Sequence, residues 1–166
     1  IITTGGGGMV LCATEAGGKR TKHVTTTAKV PHPYEFYHDE PGFNYRMPNL
    51  NAALGCAQME VLGIYLTQKR HLASQYQEFF STTDTQFVVE PDYAKSNYWL
   101  NSIICADKQQ RNELLEEVNA LGVMTRPIWK LMHRLPMFEN SLRGDLSFSE
   151  FIESHLINLP SSPVGI

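Results

Sequence analysis

The stretch NLNAALGCAQMEVLGIYLTQKRHLASQYQEFF, residues 49–80, sets the architecture of the rest of the chain. Its apolar side chains recur every three or four residues, at Met59, Leu62, Leu66, Leu72, Tyr76 and Phe79. Because that spacing places them on one face of a helix, it predicts one long helix. The first half is small and apolar on nearly every side, which suits close packing against another helix, a core or a subunit. The second half is amphipathic.

The residues after this helix predict a small domain of strands and helices. Residues 86–90, 98–106 and 123–127 are strand candidates. Asp107 is a candidate N-cap for a helix that Gly122 ends. Ser147 and Glu150 have the spacing of a capping box before a shorter helix, and NLPSSP, residues 158–163, predicts a turn. The order strand, strand, helix, strand, helix indicates an α+β domain.

The residues before the long helix predict less regular structure. Residues 1–4 and 9–13 are strand candidates, joined into a hairpin by the glycines at 5–8. Thr14 is a candidate N-cap for a weak helix. Residues 28–48 are rich in proline and aromatic side chains, and a loop of this length is usually functional. We predict two domains, residues 1–66 and residues 67–166.

Composition excludes several classes of function. The chain has 17 acidic and 14 basic side chains, a net charge of −3 and no cluster of Lys and Arg, so we expect no nucleic acid partner. Its apolar runs are shorter than the roughly 20 residues of a membrane span, so we expect a cytoplasmic protein with no membrane partner. Cys12, Cys56 and Cys105 are widely spaced in apolar surroundings, which favours buried thiols over a metal site.

Three segments carry side chains that suit an anionic ligand. The glycines at 5–8 form either a backbone nest for phosphate or a flexible turn. Asn44 and Arg46 offer an amide and a planar cationic fork just before a helix, suited to phosphate or carboxylate, although Arg46 could equally pair with a surface acid. Further on, an indole and several cations could hold a negatively charged ligand with a flat or sugar ring, or the indole could lie in the core with the cations in solvent; these residues are Arg126, Trp129, Lys130 and His133.

Together and in this order, the segments resemble the C-terminal part of the DegT/DnrJ/EryC1/StrS family of sugar-nucleotide aminotransferases. The matching stretches are ITTGGGGMV, HPYEFYHDEPGFNYRMPNLNAALGCAQME, GVMTRPIWKLMHRLPMF and NLPSSP. The resemblance implies an α/β fold, the C-terminal part of a pyridoxal-phosphate-dependent transferase of fold type I. Residues 1–66 would be a remnant of the cofactor-binding large domain, and residues 67–166 the small α+β domain.

The resemblance also implies a reaction. The form WKxMHxxPMF is most similar to the members that place an amino group on C4 of UDP-linked 4-keto-6-deoxy-N-acetylhexosamines of bacillosamine or legionaminic acid type. The expected activity is transfer of an amino group from a glutamate-like amino acid to a 4-keto nucleotide sugar, for surface polysaccharide biosynthesis. The family's catalytic lysine is expected immediately before Ile1. We therefore expect no catalytic residue in this chain, and no activity of the chain alone.

The resemblance assigns roles to the candidate residues one by one. Asn44 would reach from one subunit toward the phosphate of a pyridoxal phosphate bound mainly by the other, which implies a homodimer with shared sites. Arg46 would have a supporting or a substrate-side role. Arg126, Trp129, Lys130 and His133 would lie on the side of the nucleotide sugar. Two alternatives stay open: a sugar dehydratase of the same fold that lacks the lysine, and a non-catalytic fragment or dimerisation module.

Overall fold

The computed structural model describes residues 1–163 and divides into two compact units. One unit comprises residues 2–62, and the other comprises residue 1 with the residues from Gly63 onward. The division falls between Leu62 and Gly63, inside the long helix, whereas the sequence predicted a boundary after residue 66. We refer to these as the N-terminal unit and the C-terminal unit.

The N-terminal unit contains helix α1 (Glu15–Thr25) and the first half of helix α2 (Asn49–Phe80). The Thr14 hydroxyl accepts a hydrogen bond from the Gly17 backbone N–H at 3.1 Å, so the predicted N-cap is confirmed. The long helix that the sequence predicted over residues 49–80 is also confirmed, because α2 has 32 residues with the same bounds.

The long loop between α1 and α2 is irregular, as predicted, and it is held to the end of α1. The Phe43 N–H donates to Val24 at 2.8 Å, and the Tyr45 N–H donates to Thr25 at 2.9 Å. Thr27 and Ala28 have positive φ angles of 72° and 49°, so the chain turns sharply as it leaves the helix. The loop therefore folds back along the C-terminal end of α1.

The hairpin predicted for residues 1–13 is wrong, because the structure contains no strand in this segment. Side chains of α2 take the hydrogen bonds that a neighbouring strand would have made. The Thr3 N–H donates to the Gln58 side chain at 3.3 Å, and the Asn51 amide donates to the Thr4 carbonyl at 2.5 Å. Gly5 and Gly7 adopt φ angles of 72° and 134°, outside the strand region.

The C-terminal unit is built on a four-stranded antiparallel sheet. Its strands are β1 (Gln86–Phe87), β2 (Asn101–Ile104), β3 (Arg126–Pro127) and β4 (Leu156–Leu159), in the spatial order β1-β2-β4-β3. Helices α3 (Lys108–Ala120) and α4 (Ser147–His155) lie between them in the chain, with two 3₁₀ turns at Met132–Arg134 and Pro136–Phe138. The strands are shorter than the sequence predicted.

The hydrophobic core of the C-terminal unit forms where α2 crosses this sheet. Ile103 of β2 pairs with Ile157 of β4, and both side chains are almost fully buried. The other buried members of the core are Ala73, Phe87, Tyr98 and Cys105. The second half of α2 supplies Tyr76 and Phe80 against this cluster, which accounts for its amphipathic sequence.

Helix ends in this unit were predicted with mixed success. The Asp107 carboxylate accepts from the Gln110 N–H at 2.8 Å, and Gly122 follows α3 with a φ of 82°, so both ends of α3 are confirmed. The Ser147 cap is wrong, because Ser147 is already helical. Asp145 lies ahead of it and accepts from both the N–H and the hydroxyl of Ser147.

The turn predicted at NLPSSP begins too early. Asn158 and Leu159 belong to β4, which the sequence did not predict and which pairs with both β2 and β3. The strand starts directly after the last residue of α4, so no turn residue separates the two elements. Without that punctuation, the short apolar run resembled the end of a helix.

The cysteines differ in exposure. Cys105 is buried, and burial raises the pKa of its thiol. Cys12 and Cys56 are exposed, so the prediction of buried thiols is wrong for these two. Both belong to the N-terminal unit, in which Ala28 is the one buried apolar residue among those described. Across residues 1–163, no helix combines the length and the apolar character that crossing a bilayer requires.

Candidate functional site

A cavity of about 1070 Å³ lies within the N-terminal unit. One side is formed by Gly6, Gly7 and Gly8, and another by the start of α1 and by Lys22 on its following turns. Arg46 and the residues on either side of it line the entry to α2. The sequence had singled out the glycine run and Arg46 separately, and the fold brings them to one cavity.

The charges in this cavity favour an anion. Lys22 and Arg46 are cationic, and Glu15, the one carboxylate among the lining residues, forms an ion pair with Lys19 at 2.7 Å. Within residues 1–163, the Arg46 guanidinium makes no hydrogen bond or ion pair. The alternative that Arg46 pairs with a surface acid is therefore wrong. Its planar fork is therefore available for a phosphate or carboxylate.

Asn44 lies beside this cavity but is not part of its wall. Its side-chain oxygen accepts from the Arg46 N–H at 3.4 Å, and its backbone forms an isolated bridge with Thr26. Asn44 is exposed. Its amide N–H₂ group is therefore free to face a ligand outside the unit, while its oxygen shapes the turn that presents Arg46.

The wall of this cavity fits the phosphate of pyridoxal phosphate. At Gly6 and Gly8 a Cβ would meet nothing within 4 Å, so the backbone is open at these residues. At Gly7 the φ of 134° disfavours any other residue, and a Cβ would collide with the Met47 side chain. The backbone of these glycines lines the same cavity as Lys22 and Arg46, and backbone N–H groups together with cationic side chains are donors that proteins use for phosphate.

A second cavity, of about 600 Å³, lies within the C-terminal unit and is lined by two tryptophans. The rings of Trp99 and Trp129 stack with their centroids 6.0 Å apart and their planes at 25°. Both indoles are more than half exposed, so the alternative that placed Trp129 in the core is wrong. Arg126 lines the same cavity, and its guanidinium has the Met124 sulfur, at 3.6 Å, as its contact. This cavity therefore combines flat aromatic surface with one cation.

The other two predicted residues of this segment do not line the tryptophan cavity. The Lys130 ammonium lies 3.3 Å from a carboxylate oxygen of Glu153. The His133 Nε2 lies 3.0 Å from Glu150. Both acids belong to α4 and lie one turn apart. Their ion pairs therefore hold the residues after Trp129 against that helix.

The sequence did not reveal Trp99 or the polar groups behind it. The buried Lys69 ammonium donates to the Trp99 carbonyl at 3.2 Å and to the Ser161 carbonyl, and burial lowers the pKa of Lys69. The Ser161 hydroxyl in turn accepts from the Asn101 backbone N–H at 2.8 Å. This network fixes the two backbone segments that form one wall of the cavity. The sequence did not predict this network, because a tryptophan before a strand and a lysine in an amphipathic helix are not a recognisable motif.

A cluster of charged side chains in the N-terminal unit holds the long loop to α1. His23 lies 2.7 Å from Asp39, and Arg20 makes two hydrogen bonds to the carboxylate of Glu40. The hydrogen bond to His23 lowers the pKa of Asp39, and the hydrogen bond from Arg20 lowers that of Glu40. The potential ligand atoms of His23, Asp39 and Glu40 lie within 4.8 Å of one another, but Arg20 already occupies both oxygens of Glu40.

Known proteins similar to this chain include sugar aminotransferases. It is 32% identical over 162 residues to GDP-perosamine synthase of Escherichia coli O157:H7, covering 98% of this chain but 44% of that protein. The crystal structure of the sugar aminotransferase CalS13 from Micromonospora echinospora superposes with a TM-score of 0.82 at 16% identity, over 97% of this chain and 44% of that one. The PLP form of Spr1654 from Streptococcus pneumoniae superposes with a TM-score of 0.79 at 16% identity, over 96% and 42%.

The fold of the chain is accordingly that of the matching part of such aminotransferases, and the chain spans less than half the length of each of them. The model of one family matches residues 1–164, nearly the whole chain. The chain belongs to the DegT/DnrJ/EryC1/StrS aminotransferase family.

Proposed function

We propose that this chain works within a pyridoxal-phosphate-dependent enzyme that transfers an amino group from a glutamate-like amino acid to a 4-keto nucleotide sugar. The observation that carries the proposal is the match of a single aminotransferase family to residues 1–164. The similarity to GDP-perosamine synthase supports a nucleotide sugar as the acceptor. Because the chain spans 44% of that relative, the proposal concerns the enzyme in which the chain works, and the chain alone is proposed to be inactive.

The cavity of the N-terminal unit is the proposed contact with the cofactor phosphate. Arg46 and Lys22 would supply positive charge, and the backbone N–H groups of residues 6–8 would supply hydrogen bonds. Asn44, exposed beside the cavity, would reach the phosphate held mainly by a second subunit, so we propose a homodimer. When bound, the cofactor supplies the electron sink that amino transfer needs. We propose that none of the chain's own lysines bonds to it.

The tryptophan cavity is the proposed contact with the nucleotide sugar. Trp129 and Trp99 offer a flat surface for a ring, and Arg126 offers a charge for the diphosphate. Lys130 and His133 stay on the substrate side of the proposal, but as residues that hold the Trp129 segment to α4 through Glu153 and Glu150.

Arg126→Gln is expected to raise the KM for the sugar about tenfold without weakening cofactor binding, whereas Arg143→Gln, outside this cavity, leaves the KM unchanged. An unchanged KM for Arg126→Gln would remove this residue from the substrate site.

The reaction can be tested on the protein encoded by the full reading frame that contains this chain. The purified enzyme, with pyridoxal phosphate and glutamate carrying isotope-labelled nitrogen, is incubated with a 4-keto-6-deoxy nucleotide sugar. Mass spectrometry should find the label on the sugar, and omission of the cofactor should abolish it. An unlabelled sugar that has lost water would contradict amino transfer and indicate the dehydratase alternative.

The finer proposal concerns the nucleotide. The segment from Trp129 to Phe138 supports a UDP-linked 4-keto-6-deoxy-N-acetylhexosamine, of bacillosamine or legionaminic acid type, whereas the name of the perosamine relative offers a GDP-linked sugar. The two substrates should therefore be compared by kcat/KM in the same assay. We expect the UDP-linked sugar to be preferred, and a preference for the GDP-linked sugar would overturn this part of the proposal alone.

A further inference from the structure

A third cavity in the C-terminal unit, of about 160 Å³, is lined by four cationic side chains and one carboxylate. Lys108 and Arg111 come from the first turn of α3, and Lys130 and Arg134 from the segment that follows β3. The carboxylate is Glu153 of α4. This cavity shares Pro127 with the tryptophan cavity, but none of its charged residues.

Glu153 does not balance the positive charge. It is buried and pairs with both Lys130 and Arg134. Burial acts to raise the pKa of Glu153, but Lys130 and Arg134 outweigh that effect and hold the pKa below its usual value. Glu153 is therefore an anion at neutral pH, and Arg134 also meets Glu150 at 3.5 Å. Two of the four cations are thus paired by residues of α4, and the two on α3 are not.

Arg111 has a hydrogen-bond donor that the protein itself leaves without an acceptor in the described residues. Its Nε atom is buried and makes no hydrogen bond with any group among residues 1–163. Arg70, in the same unit, shows the usual alternative, because its guanidinium bonds to Glu90 and to the Ser96 carbonyl. A buried, unpaired guanidinium N–H is unfavourable unless an acceptor is supplied. Lys108 likewise has no acid partner among the described residues.

We propose that this cavity binds a phosphate-type oxyanion. The volume corresponds to about five water molecules, enough for one phosphoryl group but too small for a nucleotide. The Arg111 fork matches two oxygens of a phosphate, and the lysine ammonium groups add charge without fixed geometry. The same chemistry is offered by free phosphate and by the end of a phosphorylated metabolite. This proposal does not depend on the aminotransferase reaction.

Titration of the full chain with inorganic phosphate, followed by phosphorus NMR at constant ionic strength in chloride, tests the proposal. Wild-type protein should show saturable binding. Arg111→Gln should weaken it about tenfold, because one charge-assisted hydrogen-bonding group is lost. Lys95→Gln removes an exposed lysine of the same unit outside this cavity, and should bind phosphate as the wild type does.

Two results would overturn the proposal: phosphate that binds no better than chloride, or equal affinity of the wild type and Arg111→Gln. If circular dichroism shows that Arg111→Gln is unfolded, Lys108→Gln decides, since Lys108 is exposed and unpaired. Weaker binding then supports the site, and unchanged binding rejects it. A parallel titration with glycerol 3-phosphate, a small phosphorylated metabolite, identifies the source. An Arg111-dependent affinity well above that of phosphate indicates a phosphorylated metabolite, and an equal or lower affinity indicates free phosphate.

Discussion

Gly42 shows how one residue decides the path of the long loop in the N-terminal unit. A Cβ at this position would lie 2.5 Å from the Thr27 carbonyl carbon and 2.6 Å from the Ala28 nitrogen. Both are backbone atoms of the turn that ends α1, so neither can rotate away. Close approach of two backbone segments, rather than an unusual φ, makes this glycine necessary.

We expect Gly42→Ala to destabilise the protein by about 1–3 kcal/mol, the usual range for an overpacked site. Urea unfolding followed by circular dichroism gives the change. Gly63→Ala is the matched control, because a Cβ there meets nothing within 4 Å and an alanine inside a helix adds roughly 0.5–1 kcal/mol of stability. If both variants unfold at the same urea concentration, the backbone approach at Gly42 is not tight.

Glu90 is the carboxyl group whose pH response the structure defines most sharply. The Arg70 guanidinium donates to both of its oxygens, at 2.5 and 2.9 Å, and the Ser96 N–H donates to one of them at 2.6 Å. The Arg70 hydrogen bonds, and then the Ser96 N–H, lower the pKa of Glu90 from 4.5 to about 2. In the folded protein this group therefore stays ionised at a pH that protonates it in the unfolded chain.

The stability that Glu90 contributes is present above pH 4.5 and is lost as the pH falls through about 2. Glu90→Gln should therefore be less stable than the wild type at neutral pH, and the difference should shrink across that interval. Urea unfolding at a series of pH values measures it. Glu116→Gln, an exposed glutamate without an ion pair among the described residues, should run parallel to the wild type throughout. A constant gap for Glu90→Gln would contradict the assigned pairing.

At the scale of elements, two side chains, Asp107 and Gln110, form hydrogen bonds at the start of helix α3. Asp107 accepts from the Gln110 N–H, and the Gln110 side chain accepts in return from the Ala106 N–H at 2.7 Å. We expect Asp107→Ala to cost about 1 kcal/mol of stability, and Asp107→Asn to retain most of it. Thermal unfolding compares the two. Equal losses for alanine and asparagine would mean that charge, and not the hydrogen bond, stabilises this end.

The sequence predicted those features that a segment determines for itself. Thr14 and Asp107 cap helices through their own backbone neighbours, and the period of residues 49–80 requires no other element. The cap at Ser147 failed because the Glu150 N–H donates to the Leu146 carbonyl, and Ser147 is itself bonded through its N–H and hydroxyl to Asp145. Strand β4 failed because its identity comes from pairing with β2 and β3.

The candidate sites divide in the same way. Arg46, Arg126 and Trp129 were predicted because their residue types suggest anion and ring binding. Trp99 was not predicted, because it meets Trp129 only after β4 has aligned β2 and β3. The separation of Lys130 and His133 from the tryptophan cavity follows from their ion pairs with Glu153 and Glu150 of α4, and no pattern in the sequence predicted these pairs.

At the scale of the whole molecule, the two units differ in how they bury apolar surface. Almost all buried apolar residues belong to the C-terminal unit, while the N-terminal unit exposes Phe36 at 82% and Leu50 at 86%. Tyr34 and Tyr45 of the same unit are also largely exposed. Exposed apolar surface on a unit with so few buried apolar residues favours contact with another protein surface.

We expect the chain to self-associate, most simply as a two-fold dimer, because a second copy can cover this surface. Light scattering at micromolar concentrations should give a mass above that of the monomer that rises with concentration. Leu50→Glu should lower it, whereas Leu142→Glu, at an exposed site in the C-terminal unit, should not. A wild-type monomer that is independent of concentration would contradict the prediction.

The spatial order β1-β2-β4-β3 also has a consequence for how the chain acquires its fold during synthesis. Strand β4, one of the two central strands, is the last of the four to leave the ribosome, and its partner positions in β2 lie more than fifty residues earlier. Until β4 emerges, β2 can pair with β1 alone, and β3 has no neighbour at all. Nascent protein therefore passes through a stage with open strand edges, when chaperones would be most needed and pairing between neighbouring nascent chains is easiest.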